Sequence, residues 1–173
     1  SIYADDLAYE QLAFTSVFAV RPSSKITNVR VSVAATLIAN SMGGAAFYKD
    51  SNNYIVAYLD GAGRIVLLKS VAGTLTEIRN ELATYSAGAV ISIESDSTFG
   101  KFTVTYGGKI LMLNEAIADF DGSSFRVGIF TTDEDNRFGS FATAPAPDRN
   151  LGYIIGLPGQ SNTSGRGTNY QIT

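Results

Sequence analysis

Ser161 is the residue whose setting most suggests chemistry. It follows the apolar run Tyr153-Ile154-Ile155-Gly156-Leu157 and a Pro158-Gly159-Gln160 turn, and Asn162 and Gly165-Arg166-Gly167 come after it. A short apolar strand that breaks into a Gly-rich turn presents one hydroxyl at a strand end, a setting in which serine serves as a nucleophile. The hydroxyl then needs a base to take its proton, and the chain contains no histidine. Ser161 in this chain alone is therefore close to inert. Two readings remain: a chain cut a few residues into a catalytic domain, or a Gly/Ser-rich tail in which the spacing is chance.

Carboxylates and aromatics supply the other candidates. Glu94-Ser95-Asp96 sets two acids at i, i+2, which places both on one strand face as glycoside hydrolysis requires. It stands where a strand runs into Ser97-Thr98, and a solvated turn is the reading taken here. Asp133-Glu134-Asp135-Asn136 gathers acidic oxygens in one loop, where Asp133 and Asp135, helped by Asp5 or Asp6, are candidate calcium ligands. Calcium takes about six to eight oxygens, so an ordinary acidic loop is the alternative. Tyr48, Tyr54 and Tyr58 lie around Asp50, Asn52 and Asn53. Aromatic faces stack on pyranose C–H groups and Asx side chains bond hydroxyls, so Tyr48, Asn53, Tyr54 and Tyr58 form a candidate sugar platform.

These residues need a scaffold, and composition permits one: 45% of the 173 residues are hydrophobic and 17% charged, enough for one domain with a real core. The net charge of −3 and the scatter of single lysines and arginines disfavour a groove that tracks phosphates, so no nucleic-acid partner is expected. Absent cysteine excludes disulfides and thiolate zinc sites. No apolar run approaches the roughly 20 residues that cross a bilayer as a helix, and the first residues lack the order of a signal peptide, so no membrane insertion is expected. The first residue is Ser1 rather than methionine, which suggests that the native chain begins upstream.

Period-two alternation runs through most of the first 142 residues. Leu12, Phe14, Phe18 and Val20 share one face, as do Val29, Val31, Val33, Ala35 and Leu37, with Arg30, Ser32 and Thr36 opposite. The pattern recurs at 45–48, 54–59, 65–69, 89–94, 102–106, 110–113, 125–130 and 137–141. Met42-Gly43-Gly44, Asp50 to Asn53, Asp60 to Gly63, Ala72-Gly73, Gly107-Gly108 and Asp121-Gly122 read as turns between them. Residues 74–84 are read as strand plus loop. The prediction is an all-β, two-sheet antiparallel sandwich over residues 1–142, then a Pro/Ala-rich linker at 143–150 and a short tail at 151–173.

The phrases Ala45-Ala46-Phe47-Tyr48-Lys49-Asp50-Ser51-Asn52-Asn53-Tyr54, Gly63-Arg64-Ile65-Val66-Leu67-Leu68-Lys69, Phe102-Thr103-Val104-Thr105-Tyr106-Gly107-Gly108 and Arg126-Val127-Gly128-Ile129-Phe130 resemble the concanavalin A-like, laminin-G-like jelly rolls. That resemblance implies the fold, and implies as the alternative to a sugar platform that the aromatic and Asx residues around Tyr48 to Tyr58 mostly shape the core and the turn. It leaves function open, since lectins, glycanases, adhesion domains and spacers share it. Gly159-Gln160-Ser161-Asn162 with Gly165-Arg166-Gly167 resembles the first block of SGNH hydrolases, in particular sialate O-acetylesterase-like carbohydrate esterases. There the serine is the nucleophile, which implies Ser161 here, and a late Asp-x-x-His supplies the base. Together these imply a non-catalytic accessory sandwich that binds or positions a polysaccharide for an esterase, extracellular, cell-surface or virion-associated, with no required cofactor. The alternative is a structural or receptor-contacting module of a phage tail fibre or similar appendage, in which oligomerisation is expected.

Overall fold

The computed structural model describes residues 8–11, 17–20, 28–96, 100–120 and 123–149. Within them the chain is an all-β jelly-roll sandwich, as the alternation predicts. The strands are β1 (Ala8–Gln11), β2 (Val17–Val20), β3 (Val29–Thr36), β4 (Gly43–Asp50), β5 (Asn53–Leu59), β6 (Arg64–Val71), β7 (Thr74–Leu82), β8 (Ala89–Asp96), β9 (Lys101–Tyr106), β10 (Lys109–Ala116), β11 (Arg126–Thr131) and β12 (Arg137–Pro145). One sheet has the order β1-β2-β11-β4-β5-β6-β7 and the other β10-β9-β8-β3-β12. Neighbours are antiparallel, and the chain changes sheet after β2, β3, β7, β10 and β11. Among the described residues no helix is long and apolar enough to cross a membrane.

Alternation decides what lies between the sheets. On β3, Val29, Val31, Val33 and Ala35 are buried while Arg30, Ser32 and Ala34 are half-buried on the outer side. Phe47, Ile55, Ile65 and Leu67 face them from the seven-stranded sheet, with Ile91, Ile93, Phe102 and Val104 completing the layer. The rings of Phe47 and Phe125 are 5.2 Å apart, and Phe102 lies 6.2 Å from each. Each such side chain contributes about 1.5–3 kcal/mol by leaving water. The β9–β10 hairpin turns through Gly107 and Gly108 at φ +58° and +82°, the paired left-handed conformation that a two-residue hairpin demands.

Three departures from the sequence reading have physical causes. Gly43 and Gly44, read as a turn, open β4; a Cβ on Gly44 would sit 2.0 Å from the Ala57 carbonyl oxygen, so glycine is there for a close approach of backbones. The final strand runs on into the segment read as linker: Thr143, Ala144 and Pro145 pair with Val31, Arg30 and Val29. Proline is tolerated because β12 is an edge strand. Beyond it the Ala146 amide donates to the Asn28 carbonyl at 2.9 Å, and Arg149 reaches back to Glu94. Glu94, read as part of a solvated turn, is 3% exposed on β8, held by Arg149 through two bonds of 2.8 and 3.0 Å with Arg30 at 3.7 Å. Its counter-ions come from distant positions, which no local spacing announces.

Candidate functional site

Alternation does bring Tyr48, Tyr54 and Tyr58 to one face, the side of the seven-stranded sheet turned away from the sandwich core. Tyr48 and Tyr54 pair directly across β4 and β5. Both are nevertheless only 1% exposed, packed with Phe18, Val20, Ala46, Val56 and Phe130 in a second apolar cluster. The Phe18 ring lies 4.8 Å from Tyr54, 5.3 Å from Tyr48 and 5.5 Å from Phe130. Ala46 lies in the same cluster, with Gly128 as its register partner on β11. Burial pushes the Tyr54 hydroxyl up to about 12, partly offset by its hydrogen bond with Ser70. Tyr48 and Tyr54 are thus core residues and offer no ring face to a sugar. Asn53 is engaged as well: its amide nitrogen donates to the Asp50 carboxylate at 2.9 and 3.2 Å, and its oxygen accepts from the Ala72 amide at 3.0 Å.

Tyr58 differs. It is half-buried, one side packed on Phe130 with centroids 5.1 Å apart, and lies where the apolar cluster gives way to polar groups. The decisive local feature is a bulge between β6 and β7. Val66 pairs with Asn80 and Leu68 with Glu77, so the extra residue brings Glu77 and Asn80, three apart, onto one face. The Asn80 amide nitrogen donates to one Glu77 oxygen at 2.7 Å. The other Glu77 oxygen has no partner among the described residues.

Below Tyr58, the Asp60 turn ties down Arg64. Asp60 accepts from the Ala62 and Arg64 amides at 2.9 Å each and from the Arg64 guanidinium at 2.8 and 2.7 Å. Burial alone would raise the Asp60 carboxyl, but these bonds and the Arg64 charge outweigh it and hold the group below its ordinary value. The Arg64 side chain is 40% exposed and its remaining amino group faces no described acceptor. The Tyr58 hydroxyl is raised by burial first, then by the Glu77 and Asp60 carboxylates, with Arg64 opposing, which puts all four groups in one electrostatic neighbourhood. Beside the same turn lies a cavity of ≈ 160 Å³ lined by Ile38, Asn40, Asp60, Gly61, Gly63 and Tyr85. Tyr85, 41% exposed, donates to and accepts from the Leu37 backbone. An aromatic ring with a carboxylate, an amide and a guanidinium around it can stack on one face of a small polar ring and bond its hydroxyls. Of this group only Tyr58 was foreseen. Glu77 and Asn80 were not, because without the bulge residues three apart on a strand point to opposite sides.

The acidic loop is organised by Asn136. It is fully buried; its oxygen accepts from the Ile38 amide at 2.9 Å and the Ser41 hydroxyl at 2.7 Å, and its nitrogen donates to the Met42 carbonyl and the Thr131 hydroxyl. Asp133 accepts from the Asp135 amide at 2.8 Å, shaping the turn, and Asp135 is exposed. Among the described residues no three His, Cys, Asp or Glu converge on one point as metal ligands would. Asp5, Asp6 and Ser161 lie outside the described residues.

No protein-family model and no curated protein matches the chain. Solved structures share its fold. A carbohydrate binding module from Bacillus subtilis, CBM66, superposes with a TM-score of 0.61 at 11% identity, covering 79% of this chain and 91% of that one. CG-16, a homodimeric agglutinin from chicken liver, gives 0.54 at 13% identity over 75% of this chain and 99% of that one. Sheep galectin-11, solved in complex with glycerol, gives 0.55 at 10% identity over 73% and 96%. At such identities the likeness establishes the sandwich fold.

Proposed function

We propose that the chain is a glycan-binding β-sandwich that takes sugar on the outer face of β5, β6 and β7. The observation that carries this reading is the bulge that sets the Glu77–Asn80 pair beside the half-exposed Tyr58 ring. Tyr58 stacks on the C–H face of a pyranose, the open Glu77 oxygen and the Asn80 amide take adjacent hydroxyls, and Arg64 takes a ring or acetal oxygen. Fold neighbours that include a carbohydrate binding module and an agglutinin support it. The test is affinity electrophoresis and calorimetry of the full chain against a panel of polysaccharides, with Tyr58→Ala and Glu77→Gln. Each variant is expected to weaken binding at least tenfold, with melting nearly unchanged for Glu77→Gln and lowered by a few degrees for Tyr58→Ala, which still folds. Absence of binding across the panel, or variants that bind like the parent, would sink it.

The finer form of the proposal makes the sandwich an extracellular or surface-exposed accessory module of a carbohydrate O-acyl esterase, with Ser161 as nucleophile and the histidine supplied by chain beyond Thr173. It is supported by the Gly-Gln-Ser-Asn block and tested by acetyl release from the native polypeptide with and without Ser161→Ala. A purely structural module is the competing reading, favoured by the Arg149–Glu94 clasp that holds the outgoing chain on the sheet. An oligomer of the native polypeptide without glycan affinity would decide for it.

A further inference from the structure

Arg126 opens β11 on the same outer face, paired in register with Tyr48. Its guanidinium carbon sits 5.5 Å from the centroid of the Tyr48 ring. The residue is half-buried, and its Nε is buried with no hydrogen-bond partner. The other described arginines all have oxygen partners. Arg30 and Arg149 share Glu94, Arg64 holds Asp60, Arg79 bridges Glu81 and Glu115, and Arg137 donates to the carbonyls of Asp135 and Asn136. Arg126 has no oxygen partner among the described residues, in a chain whose acidic residues outnumber its basic ones by 16 to 13. Its place over the Tyr48 ring removes water from one side of the guanidinium, which strengthens its pull on an anion. The planar fork of donors matches two oxygens of a carboxylate or sulfate.

We propose that Arg126 is an oxyanion subsite that selects acidic sugars, binding the carboxylate or sulfate of a glycan whose neutral part lies on Tyr58. The proposal rests on the glycan-binding reading. Tyr58 is two strands from β11 and aligned with Phe130, four residues along from Arg126. Strand geometry makes that about 16 Å, the length of about three sugar units; the rings between the two points are buried and give the glycan no contact surface.

The experiment compares wild type, Arg126→Lys and Arg126→Gln. Melting is followed in sodium sulfate and in sodium chloride of equal ionic strength, and affinity is measured for polygalacturonate and for its methyl ester, which has the same backbone without the charge. Sulfate is expected to raise the melting temperature of wild type more than that of Arg126→Gln. Wild type is expected to bind the acid form about tenfold more tightly than the ester. Arg126→Gln removes that preference while still binding the ester, and Arg126→Lys, with charge but no fork, falls between. Equal responses of wild type and Arg126→Gln to sulfate and to polygalacturonate would overturn the proposal. If neither polymer binds while the sulfate response still depends on Arg126, the glycan reading fails and the subsite stands as one for a free inorganic anion.

Discussion

The outer faces of the two sheets both hide side chains that strand alternation would expose: Tyr48 and Tyr54 on the seven-stranded sheet, Ser92, Thr103 and Glu94 on the five-stranded one. The first face does so with rings packed on one another around Phe18, a non-directional solution that needs only shape. The second does so by pairing each polar group. Ser92 bonds Thr105, the Thr103 hydroxyl accepts from the Asn114 amide at 3.0 Å, and Arg149 takes both oxygens of Glu94. The contrast shows what each face can spare for a ligand. On the second face the buried polar groups are engaged with one another, and only Arg30, 42% exposed with Glu94 at 3.7 Å, stands partly free beside a depression of ≈ 530 Å³ that Ser32, Ser92 and Thr105 also line. The apolar cluster instead leaves its polar groups, Glu77, Asn80, Arg64 and Arg126, at its margins.

Substitutions can break this contrast at graded cost. Gly44→Val should be the most damaging, since its side chain collides with the β5 backbone; loss of roughly 4 kcal/mol or failure to fold is expected in chemical denaturation. Tyr54→Ala should cost about 3–5 kcal/mol through the cavity it leaves, and Tyr54→Phe only about 1 through one lost hydrogen bond. Arg149→Ala should cost roughly 2–3 kcal/mol by leaving the Glu94 carboxylate buried beside only a distant Arg30, and adding Glu94→Gln should recover part of that, a coupling that a double-mutant cycle reads directly.

Titration sharpens the comparison further. The Tyr54 hydroxyl is held protonated in the fold, so its contribution is complete below about pH 10 and is lost as pH rises toward about 12; Tyr54→Phe should flatten alkaline unfolding there. Asp60 is shifted the other way. Its contribution is present above its unfolded value near 4 and disappears as pH falls through the lower folded value, so Asp60→Asn should remove part of the acid limb of the stability curve. Tyr58→Ala should cost about 1–2 kcal/mol, well below Tyr54→Ala because the ring is only half-buried, while abolishing glycan retention.

Much of the sandwich was legible because its inner faces obey period two: the strand segments read from alternation at 45–48, 54–59, 89–94, 102–106 and 125–130 fall within or nearly within β4, β5, β8, β9 and β11. Sequence reasoning failed where a residue's surroundings come from afar. Tyr48 and Tyr54 carried two readings, sugar platform or core, and nothing local could decide between them because Phe18 arrives from β2. Glu94 looked solvated because Arg149 lies 55 residues away. Glu77 and Asn80 were hidden by a bulge, which shifts the phase of a strand without leaving a glycine or proline to mark it.

The Arg149–Glu94 clasp also has a mechanical meaning. Tension on the chain leaving β12 would, without it, peel an edge strand from β3 one hydrogen bond at a time, starting at the Ala146–Asn28 bond. With it, the load passes first to β8, a strand with neighbours on both sides. A sandwich tethered to something that pulls would then resist as a sheet rather than unravel as a thread, and single-molecule stretching of the Arg149→Ala variant should show the lower unfolding force of the unclasped edge.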